Sequence, residues 1–471
     1  MRESEGMGTS RLRDLVVVLP GITGSVLTRD GRPIWGPSWA MARRVVAGRG
    51  ELLEALALRG DDPAGDGVRA TRVIPTAHLV PGLVKIDGYT ALCRMVTSTF
   101  AVAEGDPEGS APANFVPFPY DWRRDLRVIA GQLDRFVRRA LPTWREYSGA
   151  RDAKVIVLAH SMGGLIARYW ATVLGGHEHC RALVTLGTPH RGSLAALDYL
   201  VNGYRKLFVD LTEVMRTFPS VHHLLPIYPC VSDGTAWHRP AELAGLPGVD
   251  PRLAADALAF HREIEAAQVG DYGLIPVVGT AQRTAQSAVV TEAGLSIGHL
   301  PPEGVDLDFA DGDGTVPRVS AIPIELSGTA QMGFVPERHS SLQNSPVVLS
   351  DLRDKLLMLQ ARGLSALRGP EGEPFPQPPG IELEVPDACL AGEPIEIRAR
   401  RLGASGPLTA VLDPVYEPGP PVRIALAEDG DAWTGVITGV APGVHRLTVS
   451  DVKRGPDAPH PVHDLVEVVA P

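Results

Sequence analysis

What the chain has little of narrows it first. Four of its 471 residues are cysteine (Cys93, Cys180, Cys230 and Cys389), far apart and without a C-x-x-C pair. A disulfide framework is therefore not expected, and four free, buried thiols are. Positive charge is in short supply: 45 Lys and Arg face 55 Asp and Glu, a formal net charge of −10. A nucleic-acid partner is excluded on that balance, since phosphate binding needs a basic face; a local basic patch for anionic lipid is not. Long apolar runs are missing too. The first, Leu15 to Leu19, is too short for a signal-peptide core or a membrane helix. The expectation is a soluble, cytoplasmic protein that touches a membrane surface only transiently.

What is present reads as a folded chain rich in turns, with 50 Gly and 42 Pro. Continuous apolar runs predict buried parallel strands at residues 13–20, 154–159, 182–186 and 274–279. Apolar residues at helical spacing predict helices over 126–141 and 165–174, and a terminal helix over 346–367 with Ser345 as its cap and Pro346 as its first residue. Strands alternating with helices predict an α/β fold with a mostly parallel central sheet. Two segments interrupt the alternation: an irregular insertion over about 30–85, holding Trp35 and Trp39, and a mostly helical cap over about 195–270. Residues 1–370 are thus read as one unit. A Pro- and Gly-rich linker follows at 371–380, and then, over 381–471, six short alternating strands separated by turns. That pattern predicts a small β-sandwich of immunoglobulin-like type, without the Cys…Trp…Cys spacing of true immunoglobulin domains. A role in docking a protein partner is expected of it ahead of simple bracing.

The chemistry concentrates at His160-Ser161-Met162-Gly163-Gly164, a tight turn between a strand and a helix. A serine hydroxyl needs exposure, a base and an oxyanion site before it can act as a nucleophile. A strand–turn–helix elbow supplies the exposure, provided that the residues two before and two after are small; here they are Ala159 and Gly163. The Met162 N–H, at the start of the helix, would face a developing oxyanion. Chain order in such folds runs Ser, acid, His. The acid is sought in Asp311-Gly312-Asp313-Gly314, where chemistry alone does not choose between Asp311 and Asp313. The base is sought after it, and His339 is the only histidine between Asp313 and the linker. His160 is read as a packing or hydrogen-bonding residue. A calcium loop built on Asp306, Asp308, Asp311 and Asp313 fails because no Glu stands at the twelfth position from any of them. No metal and no cofactor are expected.

Six ordered motifs, PGITGS (Pro20 to Ser25), PYDWR (Pro119 to Arg123), AHSMGG (Ala159 to Gly164), LGTPHRGS (Leu186 to Ser193), DGDGTVP (Asp311 to Pro317) and a late His, resemble the lecithin:cholesterol acyltransferase family. That family includes phospholipid:diacylglycerol acyltransferases and phospholipases A. The resemblance implies an α/β-hydrolase fold with Ser161 as nucleophile, Asp313 as acid and His339 as base. It implies the Ile22 N–H as second oxyanion donor, Trp35 in a lid, and Trp122 near the pocket as a brace. It also implies an acyl-ester substrate, expected to be a lipid, with water or an alcohol taking the acyl group. An esterase of non-lipid substrates and an inactive hydrolase-fold interaction module are the alternatives. The chain departs from eukaryotic members in that its early region has Cys93 but no pair resembling their lid disulfide, and in its C-terminal β-unit, which is not part of the family's core pattern.

Overall fold

Runs of β-branched residues set the centre of the molecule. The computed structural model describes residues 9–36, 54–58, 66–75, 78–80, 84–206, 209–267, 270–307, 310–326, 333–364, 379–403, 406–416, 419–452 and 458–470. Six strands, β1 (Leu15–Leu19), β2 (Phe115–Pro117), β3 (Val155–His160), β4 (Cys180–Leu186), β5 (Gly273–Gly279) and β6 (Gly333–Val335), form one sheet in the order β6-β5-β4-β3-β1-β2. Every neighbouring pair is parallel. Successive side chains of a strand point to opposite faces, so Leu15, Val17 and Leu19 enter one core while Val16 and Val18 enter the other. Both faces are covered, which is why these strands read as unbroken apolar runs.

The helices that cover them are α1 (Thr90–Thr99), α2 (Leu126–Ser148), α3 (Met162–Thr172), α4 (Leu194–Val201), α5 (Pro251–Ala266) and α6 (Pro346–Arg362). α1 and α6 pack on one face through Leu92, Val96, Val348 and Leu352; α2 and α3 pack on the other through Ile129, Leu133, Leu165 and Ile166. α2 starts where Asp125 accepts from the Arg127 N–H and ends at Gly149, whose φ of 70° is the left-handed stop that glycine adopts without steric cost. α6 begins at Ser345 and Pro346 as expected, but stops at Arg362 and takes no side-chain hydrogen bond from Ser345.

The two interruptions are less irregular than the sequence suggests. The first contains a three-stranded antiparallel sheet of Ser25–Arg29, Arg32–Trp35 and Val68–Val73. Its strands are short and studded with arginine, so no apolar run betrays them. Trp39 lies outside the described residues. The second is largely helical, as expected, through α4, Thr212–Arg216, Pro219–His222 and α5, but two short strands within it, Val231–Ser232 and Trp237–His238, join Ser287–Thr291 and Gly294–Gly298 in a four-stranded sheet beside α4. Strands of two residues are too short to show a period. The linker, but for its last two residues, lies outside the described residues.

Beyond it stand β7 (Gly380–Glu384), β8 (Ala388–Leu390), β9 (Ile395–Leu402), β10 (Leu408–Pro414), β11 (Val422–Ala425), β12 (Ala427–Asp429), β13 (Ala432–Ile437), β14 (Gly443–Asp451) and β15 (Val462–Val469). They form two sheets, β7-β9-β13-β12 and β8-β15-β14-β10-β11. All pairs are antiparallel except β8 with β15. One apolar core lies between them, with Ile381 and Ile397 from the first sheet and Leu412 and Leu447 from the second. β15 escapes the sequence pattern because it is buried on both sides from Asp464 to Val468 and so does not alternate.

All four cysteines are free; Cys180, Cys230 and Cys389 are buried and Cys93 is half-buried. No described helix is long and apolar enough to cross a membrane.

Candidate active site

β3 leads directly into Ser161, and α3 begins at the next residue. The turn is sharp enough to hold Ser161 at φ 52°, ψ −124°. Such a conformation costs an L-residue about 1–3 kcal/mol and persists only where its surroundings over-determine it. They do so here. The Ser161 N–H donates to the Leu186 carbonyl at 2.8 Å, and the Ser161 carbonyl accepts from the Gly164 N–H at 3.0 Å and from Thr188 Oγ1 at 2.9 Å. The small residues are required by contact. A Cβ on Gly163 would meet the Pro20 carbonyl oxygen at 2.5 Å, and one on Gly164 would meet Thr188 Oγ1 at 2.0 Å.

The three sequence-predicted side chains meet. His339 Nε2 lies 2.9 Å from Ser161 Oγ, and His339 Nδ1 lies 2.7 Å from Asp313 Oδ2. The second oxygen of Asp313 accepts from the N–H groups of Thr315 at 2.9 Å and Val316 at 2.7 Å, and the carboxylate is buried. Asp311 points elsewhere: it accepts from the Ala281 N–H at 2.7 Å, faces Arg318, and has its pKa raised by burial. Gly187 makes room for the pair, since a Cβ there would come within 2.9 Å of Asp313 Oδ2 and 3.1 Å of His339 Nδ1.

Met162 N–H opens α3, and Ile22 sits beside Gly21, whose missing Cβ would lie 3.0 Å from Ser161 Cβ. Among the described residues neither the Ile22 N–H nor the Met162 N–H has a hydrogen-bond partner. PYDWR braces the loop that presents Ile22: Tyr120 donates to the Pro20 carbonyl at 2.6 Å and Trp122 Nε1 to the Ser25 carbonyl at 3.2 Å. Arg123, fully buried, pairs with Asp121 and Asp66 at 2.7 Å each. Its charge is therefore compensated where it would otherwise be costly.

Ser161, His339 and Asp313 line a cavity of about 390 Å³ whose far walls are apolar, among them Leu56, Tyr199, Val214, Met215 and Phe218. Trp35 and Trp122 both line it. Trp35 is 2 % exposed, donates to the Thr23 carbonyl at 2.8 Å, and meets Trp122 edge-on at 5.0 Å. Two residues beside the site, Tyr89 and Glu337, carried no distinct sequence signal, and Thr188 stood in the LGTPHRGS motif without a role of its own.

A possible cation position elsewhere is already filled. Asp125, His223 and Asp256 approach one another, and the Arg127 guanidinium stands between the two carboxylates at 3.3 and 2.9 Å.

No curated protein matches the sequence. Among solved structures, Bacillus licheniformis lipase BlEst2 is similar in its mature form at 12% identity and TM-score 0.36, covering 74% of this chain and 94% of that one. Its propeptide form is similar at 12% identity and TM-score 0.32, covering 98% and 94%. Phospholipase PlaB from Legionella pneumophila is similar at 9% identity and TM-score 0.22, covering 97% and 93%. All three likenesses are slight. The sequence model of the lecithin:cholesterol acyltransferase family matches residues 85–249, a stretch that carries PYDWR, AHSMGG and LGTPHRGS with Ser161 and ends before Asp313 and His339. Over those residues the chain is similar to the lecithin:cholesterol acyltransferase family.

Proposed function

We propose that the chain is a serine hydrolase or acyltransferase of lipid acyl esters, with Ser161, His339 and Asp313 as its triad. The observation that carries this is the hydrogen-bonded row Ser161–His339–Asp313 at the head of an apolar cavity. The Asp313 carboxylate accepts from His339 Nδ1–H, which leaves Nε2 free to accept the Ser161 proton. As the proton moves to Nε2, Oγ bonds to the ester carbonyl carbon and the carbonyl oxygen becomes an oxyanion. The Ile22 and Met162 N–H groups are the donors for it. Collapse expels the alcohol, which takes the proton from His339, and leaves an acyl-enzyme. Water or a second alcohol then gives its proton to His339 and attacks the acyl carbon, and the C–Oγ bond breaks as Ser161 Oγ takes that proton back from His339. The apolar walls suit an acyl chain, which favours a lipid over a short soluble ester. The C-terminal unit is read as an immunoglobulin-like sandwich on its two face-packed sheets.

The test is intact-protein mass spectrometry after incubation with a fluorophosphonate and, separately, with phosphatidylcholine vesicles. Wild type should gain one fluorophosphonate adduct and a transient acyl adduct, and Ser161→Ala neither. Equal lipid turnover by Ser161→Ala would sink the mechanism. Turnover of p-nitrophenyl acetate with none of long-chain esters would replace the lipid with a short-chain substrate.

A further inference from the structure

The C-terminal β-unit meets the rest of the chain where the acid and base loops are held, and its polar contacts converge on three short segments. The first is 337–338, immediately before His339. His463, on β15, gives Glu337 two of its hydrogen bonds, from its backbone N–H at 3.0 Å and from Nδ1 at 2.8 Å. Glu337 is buried, so its charge depends on such partners. Arg338 donates to the Leu383 carbonyl of β7 at 2.6 Å and pairs with Asp464 of β15 at 3.0 Å.

The second segment is Gln282, whose backbone pairs with Gly312 next to Asp313. Its side-chain amide donates to the Ile381 carbonyl at 2.8 Å and accepts from the Leu383 N–H at 3.2 Å, so it reads the β7 backbone as a neighbouring strand would. The third is Asp87, which pairs with Arg446 of β14 while its own N–H donates to the Ser340 carbonyl, one residue past His339. The unit also supplies Asp387 to the wall of the cavity.

Resting on the triad reading above, we infer that the C-terminal β-unit is a working part of the active site: through His463, Arg446 and the β7 backbone it holds the loops of His339 and Asp313 in register with Ser161. His463 and Glu337 are positioning residues, acting through the backbone on either side of the base. The role expected from sequence alone was partner docking; the contacts assign the unit an internal one. A displacement of about 1 Å between nucleophile and base is enough to cost up to a hundredfold in rate.

The experiment uses the full chain and three variants: His463→Leu, Glu337→Gln, and His463→Gln, which keeps an N–H for Glu337. Each is tested for the rate of fluorophosphonate labelling at Ser161, for kcat and KM on p-nitrophenyl butyrate, and for amide hydrogen exchange, all well below its thermal midpoint. His463→Leu and Glu337→Gln should lose roughly ten- to a hundredfold in labelling rate and kcat, with KM within about twofold. Exchange should quicken in peptides spanning 337–341 and 311–316 while β1 and β3 stay protected. His463→Gln should recover most of the rate. A purely structural role would lower the folded fraction without this split. Labelling within twofold of wild type in folded His463→Leu and Glu337→Gln overturns the inference and leaves the triad standing. A wild-type chain that does not label at Ser161 overturns the triad reading, and this one with it.

Discussion

His160 Nε2 lies 3.0 Å from the backbone carbonyl of His339, and the two rings lie 5.0 Å apart. Burial, and secondarily the nearness of His339, lowers the His160 pKa to about 3, so its ring is neutral. A carbonyl only accepts, which places the single ring proton on Nε2 and leaves Nδ1 to accept from the Tyr89 hydroxyl at 2.9 Å. Tyr89 in turn accepts from the Gly21 N–H at 2.7 Å. One line of hydrogen bonds thus joins the loop that presents Ile22 to the backbone of the candidate base.

Tyr89→Phe breaks that line at its middle. It strands Gly21 N–H and His160 Nδ1 in a buried site, where each unsatisfied group costs about 1–3 kcal/mol. Denaturant titration should show a loss of that order. Turnover should fall about tenfold through kcat, as both the oxyanion loop and the base shift. Unchanged kcat in a folded Tyr89→Phe would mean that the line has no part in the chemistry.

Ser161 stores strain in its turn. Ser161→Gly should be inactive yet more stable than Ser161→Ala by about 1 kcal/mol, because glycine adopts φ 52° without the Cβ penalty. Equilibrium urea unfolding of the two variants compares them directly; equal midpoints would show the elbow to be relaxed.

Gly164 and Thr188 are matched in volume. Gly164→Ala drives a methyl into Thr188 and should destabilise by roughly 1–3 kcal/mol. Thr188→Ala alone should cost about 1 kcal/mol for its bond to the Ser161 carbonyl. Because the second change opens the space that the first needs, the double variant should be more stable than Gly164→Ala. A double-mutant cycle reads this as a coupling of opposite sign; strict additivity would mean that the clash is relieved elsewhere.

His463 carries the pH dependence of the β-unit's hold. Burial disfavours its charge, but the bond to Glu337 and the field of Glu337, with Asp87 and against Arg446, outweigh burial and raise its pKa. A histidine with a raised folded pKa contributes stability that is full below its unfolded value, about 6.5, and is lost as pH rises through the folded value. Thermal midpoints of wild type should therefore fall relative to His463→Gln as pH is raised from about 6 toward 9. A constant difference across that range would show the pair to be uncharged.

Much of the site was legible because its signals are local. A Val-Val-Val strand, a small-x-Ser-x-small turn and a helix after it are each dictated within ten residues, and chain order then limited the base to His339. The choice between Asp311 and Asp313 was not local. Both are flanked by glycine, and what separates them is that the Ala281 N–H captures one while His339 faces the other. Tyr89 was invisible for the same reason, standing 71 residues from His160. The helices of the cap were legible, but its two-residue strands were not, because they have no period. The β-unit was recognised by its alternation, but its grip on residues 337–338 rests on pairs more than a hundred residues apart, such as Glu337 with His463.

The few cysteines have a consequence for how the protein behaves in air. Burial pushes Cys93 and Cys180 up to about 12 and raises Cys230 and Cys389 as well. The thiolate is the reactive form, and at neutral pH almost none exists. Cys180, Cys230 and Cys389 are also out of reach of oxidants and alkylating agents until the chain opens, so the rate at which those three are alkylated becomes a clock for unfolding.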